Sequence, residues 1–421
     1  MKALKVSDNR RFLTSDDGKP FFYLADTAWE MFHRLSLDEA DHFLTTRARQ
    51  GFNVIQSVVL AEFEGLTVPN KNGDLPLKDQ DPTRPNESYF RHVDRLIDLA
   101  NTKGLYVALL PTWGDKVNKK WGGGPEVFNP ENARKYGEFL GKRYKDRGII
   151  WVLGGDRPVE TEAHLAIWRA MAAGITAGDG GKHLKTYHPA GGSSSSAKLH
   201  DERWLDFNMI QSGHGEKVAL NYNMIGADYV RDPVKPVLDG EANYEDHPVA
   251  WKPEELGWFD ERDVRRASYW SVFAGGCGIT YGCHDVWQMW EPGREAVAWA
   301  RTPWRTAIEL PGAGQLAHLK NLMLSMPYLT RIPDPSLING INPEGPRHMQ
   351  STRDTDGSYA LIYTPIQQSI EVNLTRLAGE TIRAEWFDPI SGKVRKEGSH
   401  AKPSARFLPP ADQDWVLVLR S

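Results

Sequence analysis

Between residues 21 and 284 the chain alternates short apolar runs with longer stretches of helical periodicity, the pattern of strands buried on both faces and joined by crossover helices. The runs fall at residues 21–29, 52–59, 105–113, 149–156, 184–190, 207–212, 236–241 and 278–284. Between them, residues 37–50, 88–103, 132–147, 160–174, 216–231 and 261–273 carry helical spacing, several behind a start signal such as Ser36 or Asn129-Pro130. Residues 315–326 read as a last helix. After Pro327 the period changes to two, with strand-like runs at 359–363, 370–374, 381–387 and 415–419 and turn signals at Asp356-Gly357 and Ser391-Gly392. The Ser193 to Ser196 tract reads as a mobile loop.

Eight strands with helices between them predict a (β/α)8 TIM barrel over residues 1–326, with a doubly wound open sheet as the alternative. The barrel is preferred because polar or indole side chains close each strand in turn: Asp26, Gln56, Trp113, Asp156, His188, Gln211, Glu241 and His284. An open sheet would gather them at one switch point. Residues 327–421 predict a small all-β sandwich domain, read as a support for the barrel.

Composition narrows the function. Lys plus Arg number 51 against 55 Asp plus Glu, a net charge of -4 that lacks the footprint of a nucleic-acid partner. No run approaches the ~18 apolar residues of a membrane span. The first residues show no secretory signal, so the expected address is cytoplasmic if Met1 is the native start and exported if a signal has been removed. Cys277 and Cys283 lie too far apart on one extended run to pair, and both are expected to be free thiols.

Barrel enzymes draw their reacting groups from strand C-termini, so carboxylates there are the first candidates. Asp156 ends Trp-Val-Leu-Gly-Gly-Asp, where two glycines allow the backbone to turn, and Glu241 ends Pro-Val-Leu-Asp-Gly-Glu. Two carboxylates across a sugar suit glycosidic cleavage: one protonates the leaving oxygen and the other attacks the anomeric carbon or activates water. Taken singly, each could instead cap a helix or hold an arginine. For Asp156 to act as the acid its pKa must rise, through desolvation by neighbours such as Trp151 or repulsion from ionised Glu241. The chain has 15 tryptophans, and those at strand ends, Trp29, Trp113, Trp121, Trp287 and Trp290, suit the apolar face of a sugar or the underside of a loop. His188, His214, Tyr281, His284, Asp26, Gln56, Gln211 and Tyr244 could orient hydroxyls, while Trp151 and Trp168 read as core. Lys116, Lys119 and Lys120 beside Trp121 form either an acidic-sugar subsite or a solvated loop. Several histidines could ligate a metal, but no local ligand pair is spaced for one, and no cofactor is expected.

With these residues in view the chain resembles the DUF4038 apiosidase-like family, glycoside hydrolase family 140. The resemblance runs through LKVSDNRRFL, FFYLADTAWEMFHRL, GFNVIQ, WVLGGD, LDGEANYE, the glycine-rich entry to YGCHDVW, and PGAGQLAHLKNLM, in order over nearly the whole chain. It implies a barrel with a C-terminal β-sandwich of a type labelled collagen-binding, release of β-linked apiose from pectic side chains, an acid/base at Asp156 and a nucleophile at Glu241. Compared with the wider clan of retaining barrel glycosidases, Gly-Gly-Asp replaces the usual Asn-Glu at the fourth strand. The expectation is therefore a glycoside hydrolase acting on a β-linked apiofuranosyl or similar furanosyl bond of pectin or a plant glycoside, leaning towards retention, with a carbohydrate as its partner. The competing readings are a barrel that binds carbohydrate without cleaving it, a glycosidase for another furanoside or pyranoside, and an isomerase or metal-dependent barrel enzyme.

Overall fold

The computed structural model describes residues 1–421. Eight parallel strands form the barrel: β1 (Tyr23–Thr27), β2 (Val54–Val58), β3 (Tyr106–Leu110), β4 (Ile149–Gly154), β5 (Lys185–His188), β6 (Asn208–Gln211), β7 (Val237–Asp239) and β8 (Gly278–Tyr281). Successive neighbours pair in parallel from β1 to β5 and from β6 to β8, and β8 pairs back onto β1 with Tyr281 opposite Asp26. No ladder joins β5 to β6. The Asp206 N–H donates to the Lys185 carbonyl at 2.8 Å and the Thr186 hydroxyl to the Phe207 carbonyl at 2.7 Å, which closes that seam.

Each expected helix is present, the one at 261–273 with the expected bounds and the others with one or both ends shifted. Helix Leu37–Arg49 starts in a Ser36–Glu39 capping box, helix Pro130–Tyr144 starts behind Asn129, and helix Glu261–Phe273 starts behind Asp260. The helix after β6 spans only Asn221–Tyr229, because residues 216–220 are drawn into the loop over the strand ends. Residues 193–196 are also ordered: Ser193–Ser194 pairs antiparallel with β6, and the hydroxyls of Ser194 and Ser196 both donate to Asp228. The pattern of apolar runs did not announce an N-terminal antiparallel sheet (Leu4–Val6, Leu13–Ser15, Pro20–Phe21), which buries Phe12 against Tyr328 at 4.7 Å.

The C-terminal domain holds a six-stranded antiparallel sheet and a two-stranded one. Period-two alternation divides its central strands between two cores. Tyr359, Leu361, Tyr363, Val416 and Val418 pack into the barrel's apolar core, whereas Ala360, Ile362, Leu417 and Leu419 fill the sandwich's own. The contact is sealed by a buried ion pair, Arg265 to both Asp414 oxygens at 2.8 and 2.9 Å, and by Tyr269 stacked on Tyr363 at 4.8 Å. Both cysteines are buried and unpaired.

Candidate active site

β4 delivers Asp156 through three consecutive left-handed residues: Gly154 (φ +86°), Gly155 (φ +127°) and Asp156 itself (φ +45°). Glycine is required at the first two. A Cβ on Gly154 would sit 2.4 Å from the His188 carbonyl, and one on Gly155 2.7 Å from the Trp113 ring. The Asp156 carboxylate accepts the Gly191 N–H at 3.2 Å and faces the Gln211 amide, with about a third of its side chain (35%) open to the cleft. The strained turn therefore aims an acid off the strand end.

β7 delivers Glu241. The preceding Gly240 carbonyl is held from inside the barrel by Gln56 Nε2 at 3.0 Å. One Glu241 oxygen, Oε1, lies 3.0 Å from His214 Nε2, and the other, Oε2, lies 3.1 Å from His188 Nε2, at ion-pair distance but off a straight hydrogen-bond line. Backbone groups flank both rings: the Tyr244 N–H points at His214 Nδ1 at 3.4 Å, and His188 Nδ1 lies 3.0 Å from the Pro189 carbonyl oxygen and 3.4 Å from the Asp156 N–H. With its Nδ1 accepting, His214 carries its proton on Nε2 and presents N–H to the carboxylate, whereas His188, whose Nδ1 faces a carbonyl more closely than an amide, presents N–H to Glu241 only with both ring nitrogens protonated. Trp29 and Trp113 pack on the His188 ring at 5.4 and 5.8 Å and hold it in place.

The two carboxyls are driven apart. Burial would raise Glu241, but the His188 and His214 rings set against its two oxygens outweigh it and hold its pKa well below the ordinary range. Asp156 is pushed up to about 6, first by burial and then by the negative charge of Glu241. Trp151 plays no part in this: its Nε1 donates to Asp179, and the side chain is core. A protonated acid and an ionised base or nucleophile side by side can carry out acid-assisted displacement.

Asp156 and Glu241 open onto a cleft of about 930 Å³ lined also by Glu62, Trp121, Arg157, Gln211, His214 and Trp251. Arg157 is buried, donates to Glu62 at 2.8 Å and lies 3.6 Å from Asp156. Burial pushes Glu62 up to about 7, against the pull of Arg157. The tightening of the 114–129 loop consumes two of its lysines: Lys116 is buried on Asp115 at 2.7 Å, and Lys120 pairs with Glu160. Only Lys119 of the three is left without a carboxylate, so the loop is not a cationic subsite.

Of the expected substrate-facing residues, Gln211 and His214 line the cleft. Others are displaced from it. Asp26 is wholly buried and paired with Arg47 at 2.7 Å, and burial pushes it up to about 6 against that pull. Tyr281 is buried and donates to Glu245 at 2.6 Å. Both side chains point outward from their strands beneath helix Leu37–Arg49, because the pleat alternates and Thr27 and Thr280 take the inward positions. His284 lies against the carbonyls of Val297 and Ala298, accepts the Trp287 N–H at 3.2 Å, and is pushed down to about 4 by burial. His284 and Trp287 thus lock the β8 loop. Gln56, Trp29, Trp113 and His188 support Glu241 from beneath, and the Tyr244 hydroxyl lies among Glu241, Thr27 and Trp29. Glu62, Arg157 and Trp251 were not singled out from the sequence. Arg157, directly after Gly-Gly-Asp, could have been; Trp251 sits on a turn that no periodicity marks.

A closed parallel barrel with two strand-end carboxyls of opposite protonation defines a barrel glycoside hydrolase, and comparison with known proteins agrees. Residues 7–330 match the family model "Apiosidase-like, catalytic domain", and residues 332–420 match "Putative collagen-binding domain of a collagenase". The chain belongs to the apiosidase-like family. Two solved structures, one described as a glycoside hydrolase and one as a glycoside hydrolase family 5 protein from Bacteroides vulgatus ATCC 8482, each share 33% identity at a TM-score of 0.92. The alignments cover 100% of this chain and 97% and 93% of theirs. A family 5 mannosidase from Rhizomucor miehei (13% identity, TM-score 0.53, 77% of this chain and 98% of that one) shares the fold. No curated protein matches the chain.

Proposed function

We propose that this glycoside hydrolase cleaves a β-linked apiofuranosyl, or similar furanosyl, bond in plant cell-wall pectin or a plant glycoside, with retention of configuration. Asp156 transfers its proton to the glycosidic oxygen while a Glu241 oxygen attacks the anomeric carbon, and the sugar–oxygen bond breaks. Asp156, now ionised, then takes a proton from water, whose oxygen displaces Glu241 and releases the sugar. The observation that carries this reading is the division of labour between the carboxyls: His188 and His214 both serve Glu241, while Asp156 faces its charge without a cation in hydrogen-bonding contact.

Product analysis tests it. Wild type and Glu241→Gln are incubated with an apiose-substituted pectic oligosaccharide and an apiosyl flavonoid glycoside, and the anomer released first is read by NMR. Cleavage by wild type alone with the β-anomer first is the expected result. Release of the α-anomer would overturn retention, and full activity in Glu241→Gln would overturn the nucleophile. Cleavage of neither compound would move the substrate to another furanoside such as an arabinofuranoside or galactofuranoside.

A further inference from the structure

Trp121 is 64% exposed, yet its loop is tightly fixed. Residues Trp121, Gly122, Gly123 and Gly124 are all left-handed, at φ +68°, +99°, +78° and +96°. For tryptophan that conformation is strained and persists only where the surroundings enforce it. They do so from below. The Asp115 carboxylate, buried on Lys116, accepts the Gly124 N–H at 2.7 Å, and a Cβ on Gly123 would meet the same oxygen at 2.5 Å. The Arg157 guanidinium lies 5.6 Å and the Lys120 ammonium 5.4 Å from the indole centre, and Arg157 donates to Glu62 at 2.8 Å. The exposed ring is thus built in beside the acid Asp156.

Its position gives the strain a use. Trp121 and Glu62 line the Asp156–Glu241 cleft, and the same two residues line a second cleft of about 780 Å³ with Arg34, Phe63 and Arg294. They form the ridge over which the two clefts meet. An exposed indole flanked by a fixed carboxylate matches a sugar ring, whose C–H face stacks on the aromatic while adjacent hydroxyls donate to the acid. We infer that Trp121 is the stacking platform, and Glu62 the hydroxyl acceptor, for a sugar residue adjoining the one whose bond is cleaved. The substrate is then an oligosaccharide that crosses from one cleft to the other. This rests on the assignment of Asp156 and Glu241 made above.

Two measurements test it. In the Glu241→Gln background, calorimetry compares binding of a panel of apiose-bearing pectic oligosaccharides with and without Trp121→Ala. In the active background, kcat/KM is compared on the oligosaccharide and on 4-nitrophenyl β-apiofuranoside, which has a single sugar. Trp121→Ala is expected to weaken oligosaccharide binding about 3- to 10-fold, to lower the oligosaccharide-to-nitrophenyl ratio of kcat/KM by a similar factor, and to be partly rescued by Trp121→Phe. An unchanged affinity, an unchanged ratio, or a Glu241→Gln protein that binds none of the panel overturns the platform. Binding that depends on Trp121 with no cleavage by wild type would instead overturn the assignment of the reaction and leave the platform standing.

Discussion

His214 Nε2 meets Glu241 Oε1 at 3.0 Å while its Nδ1 faces the Tyr244 amide, so a backbone N–H two elements of chemistry removed decides which nitrogen serves the carboxylate. Replacing His214 by Phe removes the ring N–H bonded to Glu241 Oε1, one of the two rings that hold Glu241 ionised. A hydrogen bond to a charged group is worth about 1.5–3 kcal/mol, so kcat/KM should fall about 10- to 100-fold. Glu241 must be ionised to attack, and its depressed pKa should rise when the donor is lost. The acid limb of the kcat/KM profile therefore moves upward by about one unit or more. His214→Gln, which keeps an N–H, should recover part of the rate. An acid limb that stays in place in the Phe variant would show that His214 acts on something other than Glu241.

The alkaline side of the profile belongs to Asp156. Its carboxyl, raised to about 6, holds the proton below that pH and loses it above, so kcat/KM should decline with unit slope beyond about pH 6. Asp156→Asn should abolish that limb and reduce cleavage of a sugar leaving group by about 10²- to 10⁴-fold, with a smaller loss on a nitrophenyl glycoside, whose leaving group departs without a proton. Equal losses on both substrates would mean that Asp156 is not the proton donor.

Strand ends were readable in the sequence because buried parallel strands leave apolar runs, and Asp156 and Glu241 close two of them beside glycines. Which way a strand-end side chain points was not, since a one-residue step in the pleat exchanges cleft for helix layer. Asp26 and Tyr281 show the consequence: both are polar, both lie within the last two residues of a strand, and both serve a buried network with Arg47 and Glu245. The N-terminal sheet escaped for a different reason. Its strands are two or three residues long, too short for any period to register, and they are held by contacts with residues such as Tyr328 and Leu329 that only the fold brings near. Glu62 and Arg157 likewise acquire their meaning from a contact across 95 residues of chain.

The turn that presents Asp156 can be tested apart from its chemistry. Gly154→Ala places a methyl group 2.4 Å from the His188 carbonyl at φ +86°, whereas Gly73→Ala meets the same left-handed backbone, at φ +85°, with nothing within 4 Å. Both should lose the ~1–2 kcal/mol that a left-handed alanine costs. Only Gly154→Ala should also displace His188 and, through it, Glu241. Thermal unfolding should show a lower Tm in both variants, and kcat should fall by about 10-fold or more in Gly154→Ala alone. Matching kcat values in the two variants would show that β4 and β5 absorb the methyl group without disturbing the carboxylate pair.

The barrel and sandwich should unfold as one unit, because strands Tyr359–Thr364 and Trp415–Arg420 contribute alternate side chains to both cores and Asp414 is buried on Arg265. Arg265→Met would strand the Asp414 carboxylate with only the Tyr363 hydroxyl, at 3.3 Å, beside it. Removing one partner of a buried pair costs about 3–5 kcal/mol, whereas removing both for apolar groups of similar volume can be nearly neutral. Arg265→Met should therefore lower the Tm by several degrees, and Arg265→Met with Asp414→Leu should regain most of the loss. Calorimetry should record a single transition in each case. Two separated transitions in the wild type would show that the shared sheet does not couple the domains, and the ion pair would then stabilise only its own surroundings.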